Sequence, residues 1–251
     1  MLAGAGGYRF NNCQLKRRRM DFTNDKSPVT QTVARQLQEM IRTGALKKDE
    51  RLPSQRVLSE QLGVSRASLR EALLTLETIG LVRTYPARGT FVTGAQTGKP
   101  AAMDQWRFEE QYSILDVFQS RLLIEAELCR LAAPHVTPEI ADELRRATEE
   151  FEQAWRKEDL VTHVEADLTF HNIIAQTCPN AMLRRLHQSV RDLLTETQRV
   201  PIPNTEVGRM NASIKEHRAI LEALTWQNAN DAADAMREHI RNTALCAGVE
   251  I

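Results

Sequence analysis

Four residues in the second half of this chain have the types and spacing to hold a divalent cation: Asp167, His171, His217 and His239. Asp167 and His171 are four positions apart, so on a helix they share one face. His217 falls in line with Met210, Ile214 and Leu221, and His239 with Ala232, Ala235 and Met236. Those are the apolar, inward stripes of two further helical segments. One carboxylate and three imidazoles then point inward from three helices. Buried polar groups need partners, and one divalent cation would serve all four. Neutral imidazole with carboxylate suits zinc first, with nickel and manganese as alternatives, in a five-coordinate or octahedral site that keeps positions open. For any one of these histidines, a hydrogen-bonded core residue is the plainer reading. The joint spacing favours metal. Cys178 and Cys246, seven residues past His171 and His239, read as core cysteines.

A second set of residues suits a polyanion. Residues 52–92 read as helix, tight turn, helix and two-stranded wing. Ser54 caps a helix bearing Val57, Leu58 and Leu62; Gly63 ends it, Val64 fills the corner, and Ser65 caps the next helix. That helix shows Leu69, Ala72, Leu73, Leu76 and Ile79 in steps of three and four, and Gly80 stops it. Val82, Thr84, Thr90 and Val92 then alternate around Pro86-Ala87-Arg88-Gly89, a hairpin pattern. In a helix-turn-helix the second helix enters the major groove with its N-terminal residues at the bases. Here those are Ser65, Arg66 and Ser68, with Arg70 one turn on. Arg66 and Arg70 can reach phosphates or grip a guanine edge. Arg56 is placed to touch the backbone, and Arg88 with Gly89 forms a narrow basic tip suited to the minor groove. A small helical core with surface arginines is the bland alternative, and the full series of caps, turns and charges argues against it.

The elements that position these two sets divide the chain. Residues 1–27 lack periodicity and carry the basic run Lys16-Arg17-Arg18-Arg19, read as a flexible tail, with Met20 a candidate native start. Val29, Val33, Leu37, Met40 and Ile41 predict a helix beneath the recognition pair, completing a DNA-binding domain over 28–94. A linker over 95–112 follows, polar and glycine-containing at first, with a short helix over 103–112. The remainder, 113–251, reads as helix throughout: 114–133, one capped by Thr137 and Pro138, then 161–178, 182–198, 205–227 and 231–247. The fold class is mainly α, a winged helix-turn-helix joined to an all-α bundle.

The first half also resembles the winged-helix domain of the GntR family of bacterial transcription regulators, through LPSQRVLSEQLGVSRASLREALLTLETIGLV followed by RGTFV. That resemblance implies operator contacts at Arg56, Ser65, Arg66, Ser68, Arg70, Arg88 and Gly89. The second half resembles the ligand-binding FCD domain of the FadR-type branch, through RLLIEAELCRLAA, the Asp-to-His pair, SIKEHRAILEAL and AMREHI. In metal-binding members those Asp and His positions hold the cation, and an organic acid completes its open face. The resemblance makes Arg121 the arginine facing the effector carboxylate and puts Ser213 in the same pocket. It argues against a fatty-acyl-CoA effector, whose regulators generally lack the full metal set. Taken alone, Arg121 could instead form a surface pair with Glu125 at i+4, and Arg191 and Arg199 are further anion candidates.

Charge agrees with this division. Residues 1–95 hold 16 Lys/Arg against 8 Asp/Glu, a balance of +8, and residues 96–251 hold 17 against 25, a balance of −8. A basic module joined to an acidic one fits a DNA-binding head on a sensor domain. Scattered cysteines without CxxC fit a reducing cytoplasm, and no apolar run reaches the roughly 20 residues that span a bilayer. The sequence thus implies a dimeric, cytoplasmic, repressor-type regulator of a metabolic operon, binding double-stranded operator DNA and controlled by a small carboxylate at a metal. The alternatives are a metal-dependent enzyme and a purely structural metal. Against the enzyme, there is no HExxH and no nucleophile elbow, and Glu216, adjacent to His217, points about 100° away on a helix.

Overall fold

The computed structural model describes residues 29–85, 87–93, 106, 108–199, 201 and 207–251. The basic tail, the candidate start at Met20, most of the linker, Cys13, Pro86 and the Ile202-Pro203 break lie outside the described residues.

The N-terminal part forms α1 (Val29–Arg42), α2 (Gln55–Leu62), α3 (Arg66–Thr78), β1 (Val82–Tyr85) and β2 (Gly89–Val92). The caps are local. The Ser54 hydroxyl accepts from Val57 N, and the Ser65 hydroxyl accepts from Ser68 N at 3.0 Å. Gly63 closes α2 at φ 69°, a left-handed turn that glycine adopts without a Cβ clash. The strands pair antiparallel, Val82 with Val92 and Thr84 with Thr90, whose hydroxyls meet at 3.1 Å. The segment before α2, expected as a plain connection, lies along β2: Leu52 N donates to Thr90 O at 2.8 Å and Val92 N to Glu50 O at 2.9 Å. The wing thereby gains a third backbone edge.

The C-terminal part is α4 (Ile114–Ala132), a short 3-10 turn, α5 (Pro138–Arg156), α6 (Leu160–Thr177), α7 (Ala181–Ser189), α8 (Arg191–Arg199), α9 (Val207–Thr225) and α10 (Ala229–Cys246). Ser113 and Asp116 make a reciprocal capping box at α4, and Thr137 caps α5 just before Pro138. The core between α4, α6, α9 and α10 is built on Phe118, Leu128, Phe170, Ile220 and Ile240. Two expectations fail here. The helix over 182–198 is two helices, α7 and α8, broken at Val190 (φ −109°, ψ 11°). Ser189 turns its hydroxyl onto the Leu186 carbonyl at 2.7 Å, and β-branched Val190 follows, a pair that competes with helix continuation. The short helix over 103–112 is, in its described part, only a turn. Trp106 is buried and donates its indole N–H to Tyr112 O at 2.6 Å.

The two parts touch through α6. Val161 and Val164, in its first turns, are buried in the apolar core of the DNA-binding part, which otherwise belongs to residues such as Leu37, Leu58 and Leu76. Gln38 of α1, itself buried, donates to Asp159 Oδ1 at 2.7 Å and accepts from Val161 N at 3.0 Å. One head residue thus helps satisfy the free amides at the start of α6. A second tie joins α3 to α8, Thr78 Oγ1 donating to Glu196 Oε1 at 3.1 Å. Gln38→Ala removes both Gln38 bonds and is expected to cost about 1–3 kcal/mol in urea unfolding. An unchanged urea midpoint would show that the parts dock without this bridge.

Candidate metal centre and DNA-contacting face

Asp167 and His171 project from α6, His217 from α9 and His239 from α10, all four buried. One potential ligand atom from each lies within 4.8 Å of the others. The spacing argument therefore brings together the four residues it named. Each imidazole is oriented from behind. Nδ1 of His217 lies 3.0 Å from Ser213 O, Nδ1 of His239 lies 3.0 Å from Glu216 Oε2, and Nδ1 of His171 lies 2.5 Å from Glu125 Oε2. The last contact is close but lacks hydrogen-bond alignment, so both His171 nitrogens count as unsatisfied. Phe151 and Phe170 flank His217, with ring centroids 4.5 and 4.8 Å away.

With each Nδ1 facing an acceptor, the Nε2 atoms serve the centre. Nε2 of His217 lies 2.9 Å from Asp167 Oδ1 and Nε2 of His171 lies 3.8 Å from it. His217 thus has an acceptor at both nitrogens, whereas a neutral imidazole can donate only once. A positive charge is required at this point, either a proton or a cation. The donor set fits a cation: lone pairs of three imidazoles and one carboxylate, each braced from its far side. Burial pushes the Asp167 carboxyl up, but the His217 hydrogen bond and the neighbouring imidazoles outweigh it and hold it well below the usual range. Burial lowers His239 to about 4, which keeps it neutral and able to ligate.

Arg121 is fully buried, its Nε 2.7 Å from Glu125 Oε1 and its Nη1 3.3 Å from Thr197 Oγ1. The surface-pair reading is therefore wrong: α4 turns this pair into the bundle. Burial would raise the Glu125 carboxyl, but Arg121 and His171 together hold it far below its normal range. Arg121 Nη2 makes no hydrogen bond among the described residues. A cavity with about 470 Å3 of empty space, part of it open to solvent, is lined by Arg121, Asp167, Ser213 and His239. Cys246 also lines it and is only partly buried, so it is not the core cysteine expected, whereas Cys178 is. Arg191 is exposed beside a smaller cavity behind His171, and Arg199 lies 4.0 Å from Glu196.

Three groups near the centre went unnoticed in the sequence. Glu216 braces His239 while paired with Arg209 at 2.6 and 2.8 Å, so a residue dismissed as pointing elsewhere supports the centre from behind. Arg209 lines the cavity, as does His163, which stacks on Phe151 at 3.9 Å. His163 precedes Asp167 by four positions on the same helix, the one signal that would have found it.

On the DNA-contacting face, Arg66 and Arg70 are exposed along the start of α3, Arg70 lying 3.8 Å from Glu71. Ser65 and Ser68 share a hydroxyl–hydroxyl contact of 2.9 Å, and exposed Arg56 pairs with Glu60 at 3.0 Å. Gly89 has φ 103°, and a Cβ there would come within 2.8 Å of the Arg51 guanidinium. Arg88 and Arg83 both lie over the Tyr85 ring, 5.4 and 5.6 Å from its centroid, an aromatic anchor for the wing that alternation alone did not reveal.

Comparison with known proteins decides the family. Residues 29–92 match the bacterial regulatory proteins of the gntR family, and residues 116–242 match the FCD domain. The chain belongs to the GntR family. Among relatives of this GntR regulator, the HTH-type transcriptional repressor NanR of Escherichia coli (strain K12) is 27% identical over 223 residues, covering 87% of this chain and 84% of NanR. NanR of Enterobacter sp. (strain 638) is 27% identical over 229 residues, covering 87% and 85%. A solved GntR transcriptional regulator from Rhodococcus sp. RHA1 superposes with a TM-score of 0.52 at 21% identity, over 88% of this chain and 99% of that one, and shares the fold. The protein is a transcription regulator, not an enzyme. Among the described residues, no helix is long and apolar enough to cross a membrane.

Glu125→Ala would leave the Arg121 guanidinium buried without its carboxylate. The expected cost is about 3–5 kcal/mol in urea denaturation of the metal-free protein. A loss below about 1 kcal/mol would mean that Thr197 and water suffice for Arg121.

Proposed function

We propose that this GntR regulator is a homodimeric repressor whose grip on operator DNA is set by a small carboxylate bound at a divalent metal in the helical part. Residues 28–94 serve as the DNA-binding domain, 95–112 as linker and 113–251 as effector and dimerisation domain, with the whole acting in the cytoplasm. The observation that carries the metal reading is His217: it sits between two acceptors, in a buried cluster whose remaining lone pairs converge. Asp167, His171, His217 and His239 would hold the ion, with zinc the best match to three imidazoles and a carboxylate. The bound metal supplies a Lewis-acidic face for a carboxylate oxygen.

The residues around that face have their own work. Arg121 offers the unspent Nη2 N–H to an anion, and Glu125 holds its guanidinium in place. Ser213 orients His217 through its carbonyl and lines the cavity with its side chain. Arg56, Ser65, Arg66, Ser68, Arg70, Arg88 and Gly89 make the operator-facing surface. Two-fold symmetry follows from the way helix-turn-helix proteins read paired half-sites, and repression is also what the NanR relatives are named for. A regulatory effect requires the effector to favour one arrangement of the two parts over the other.

The direct test is a thermal-shift screen of metal-loaded protein against small carboxylates, with metal content measured alongside. A ligand at about 100 times its Kd should add about 2.7 kcal/mol of stability. His217→Ala is expected to lose stoichiometric metal and the carboxylate shift while still retarding operator DNA; retained metal would refute the ligand assignment. Arg66→Ala should do the reverse, abolishing retardation with metal content intact, and unchanged DNA binding would remove α3 from the interface. Arg121→Ala should weaken the carboxylate far more than the metal, and an unaltered carboxylate affinity would take it out of the pocket. A metal that only braces the bundle would give unfolding on chelation and no shift with any carboxylate.

A further inference from the structure

The cavity beside the metal centre contains more hydrogen-bond acceptors than a simple carboxylate can use. Gln198 of α8 lines it at 7% exposure, and its carboxamide oxygen has no partner among the described residues. His163 lines it at 1% exposure. Its Nδ1 lies 2.9 Å from Phe151 O, a group that only accepts, so Nδ1 must carry the proton. Burial, the main cause, lowers the His163 pKa to about 4, so Nε2 is left as a lone-pair acceptor. Thr243 also lines the cavity, and its hydroxyl proton is spent on His239 O at 2.9 Å, again leaving acceptor capacity.

An ionised carboxylate is acceptor-only. It would suit Arg121 and a metal but would leave His163, Gln198 and Thr243 facing further acceptors or apolar carbon, at a cost for each buried group. A hydroxyl supplies the missing donor, and it satisfies the Gln198 amide in either orientation. An ammonium would also donate, but the nearby carboxylates are committed: Glu125 to Arg121, and Glu216 to Arg209 and His239. Resting on the carboxylate-sensing reading above, we infer that the effector is a hydroxylated carboxylic acid, whose hydroxyl is recognised by His163, Gln198 and Thr243.

The test is calorimetric titration of the metal-loaded full-length protein with matched acids: lactate, alanine and propionate as one set, gluconate and hexanoate as another, and malate and succinate as a third. At least one hydroxy acid is expected to bind about tenfold more tightly than its deoxy partner, the worth of one buried hydrogen bond. In His163→Phe that advantage should fall about tenfold, with metal stoichiometry and the deoxy acid's affinity unchanged, while His163→Gln, which keeps an acceptor, should recover part of it. Should His163→Phe fail to fold, Gln198→Met and Thr243→Val carry the same expectation. Equal affinity within every set, a preference for alanine, or an advantage that survives these substitutions would overturn the inference while leaving carboxylate sensing intact. No binding by any acid to the metal-loaded protein would remove both.

Discussion

The structure depends on keeping one carboxylate, Asp167, inside an apolar helical bundle. An unpaired buried charge costs several kcal/mol, so positive or polarised groups must converge on it. Three imidazoles do so from three helices, and each is braced by an acceptor at Nδ1. Those acceptors bring their own demands. Glu125 is neutralised by Arg121 and Glu216 by Arg209, so the second layer consists of ion pairs. Phe151 and Phe170 then close the apolar surroundings against His217. The bundle's polar interior is thus a nested set of compensations that begins at one side chain.

A different economy governs the DNA-contacting part. There the arginines stay exposed, and the fold's task is to hold two short helices and a hairpin at fixed angles. Caps at Ser54 and Ser65 and the left-handed turn at Gly63 set the helices. Tyr85 under two arginines, and the backbone edge from residues 49–52, set the wing. The charge imbalance between the halves follows from these tasks: one displays cations, while the other hides a few charges and covers itself with acidic residues.

The four candidate ligands were legible because helical periodicity places i, i+4 pairs and in-line stripes on known faces, and because imidazole on an apolar stripe is conspicuous. The supporting layer was much less so. Glu125 and Glu216 look like ordinary surface acids in the sequence, since their partners, His171 and His239, lie on other helices. His163 escaped because it is a stacked aromatic as much as an imidazole. The break at Val190 was hidden by leucines that keep helical step on both sides of it. The docking of α6 against the DNA-contacting part could not be read at all, because Val161 and Val164 look the same whether they face their own core or a neighbour's.

That docking has a thermodynamic consequence. The helix that carries Asp167 and His171 has its first free amides satisfied in part by Gln38, from the other half of the molecule. Occupancy of the centre and posture of the head are therefore two readings of the same helix. Linkage between them is reciprocal by necessity. If operator DNA draws the head away from the bundle, the same free energy must be subtracted from the affinity of whatever the centre holds. A regulator built this way would report on DNA as surely as on its effector, and its metal affinity measured off the operator would not be its affinity on it.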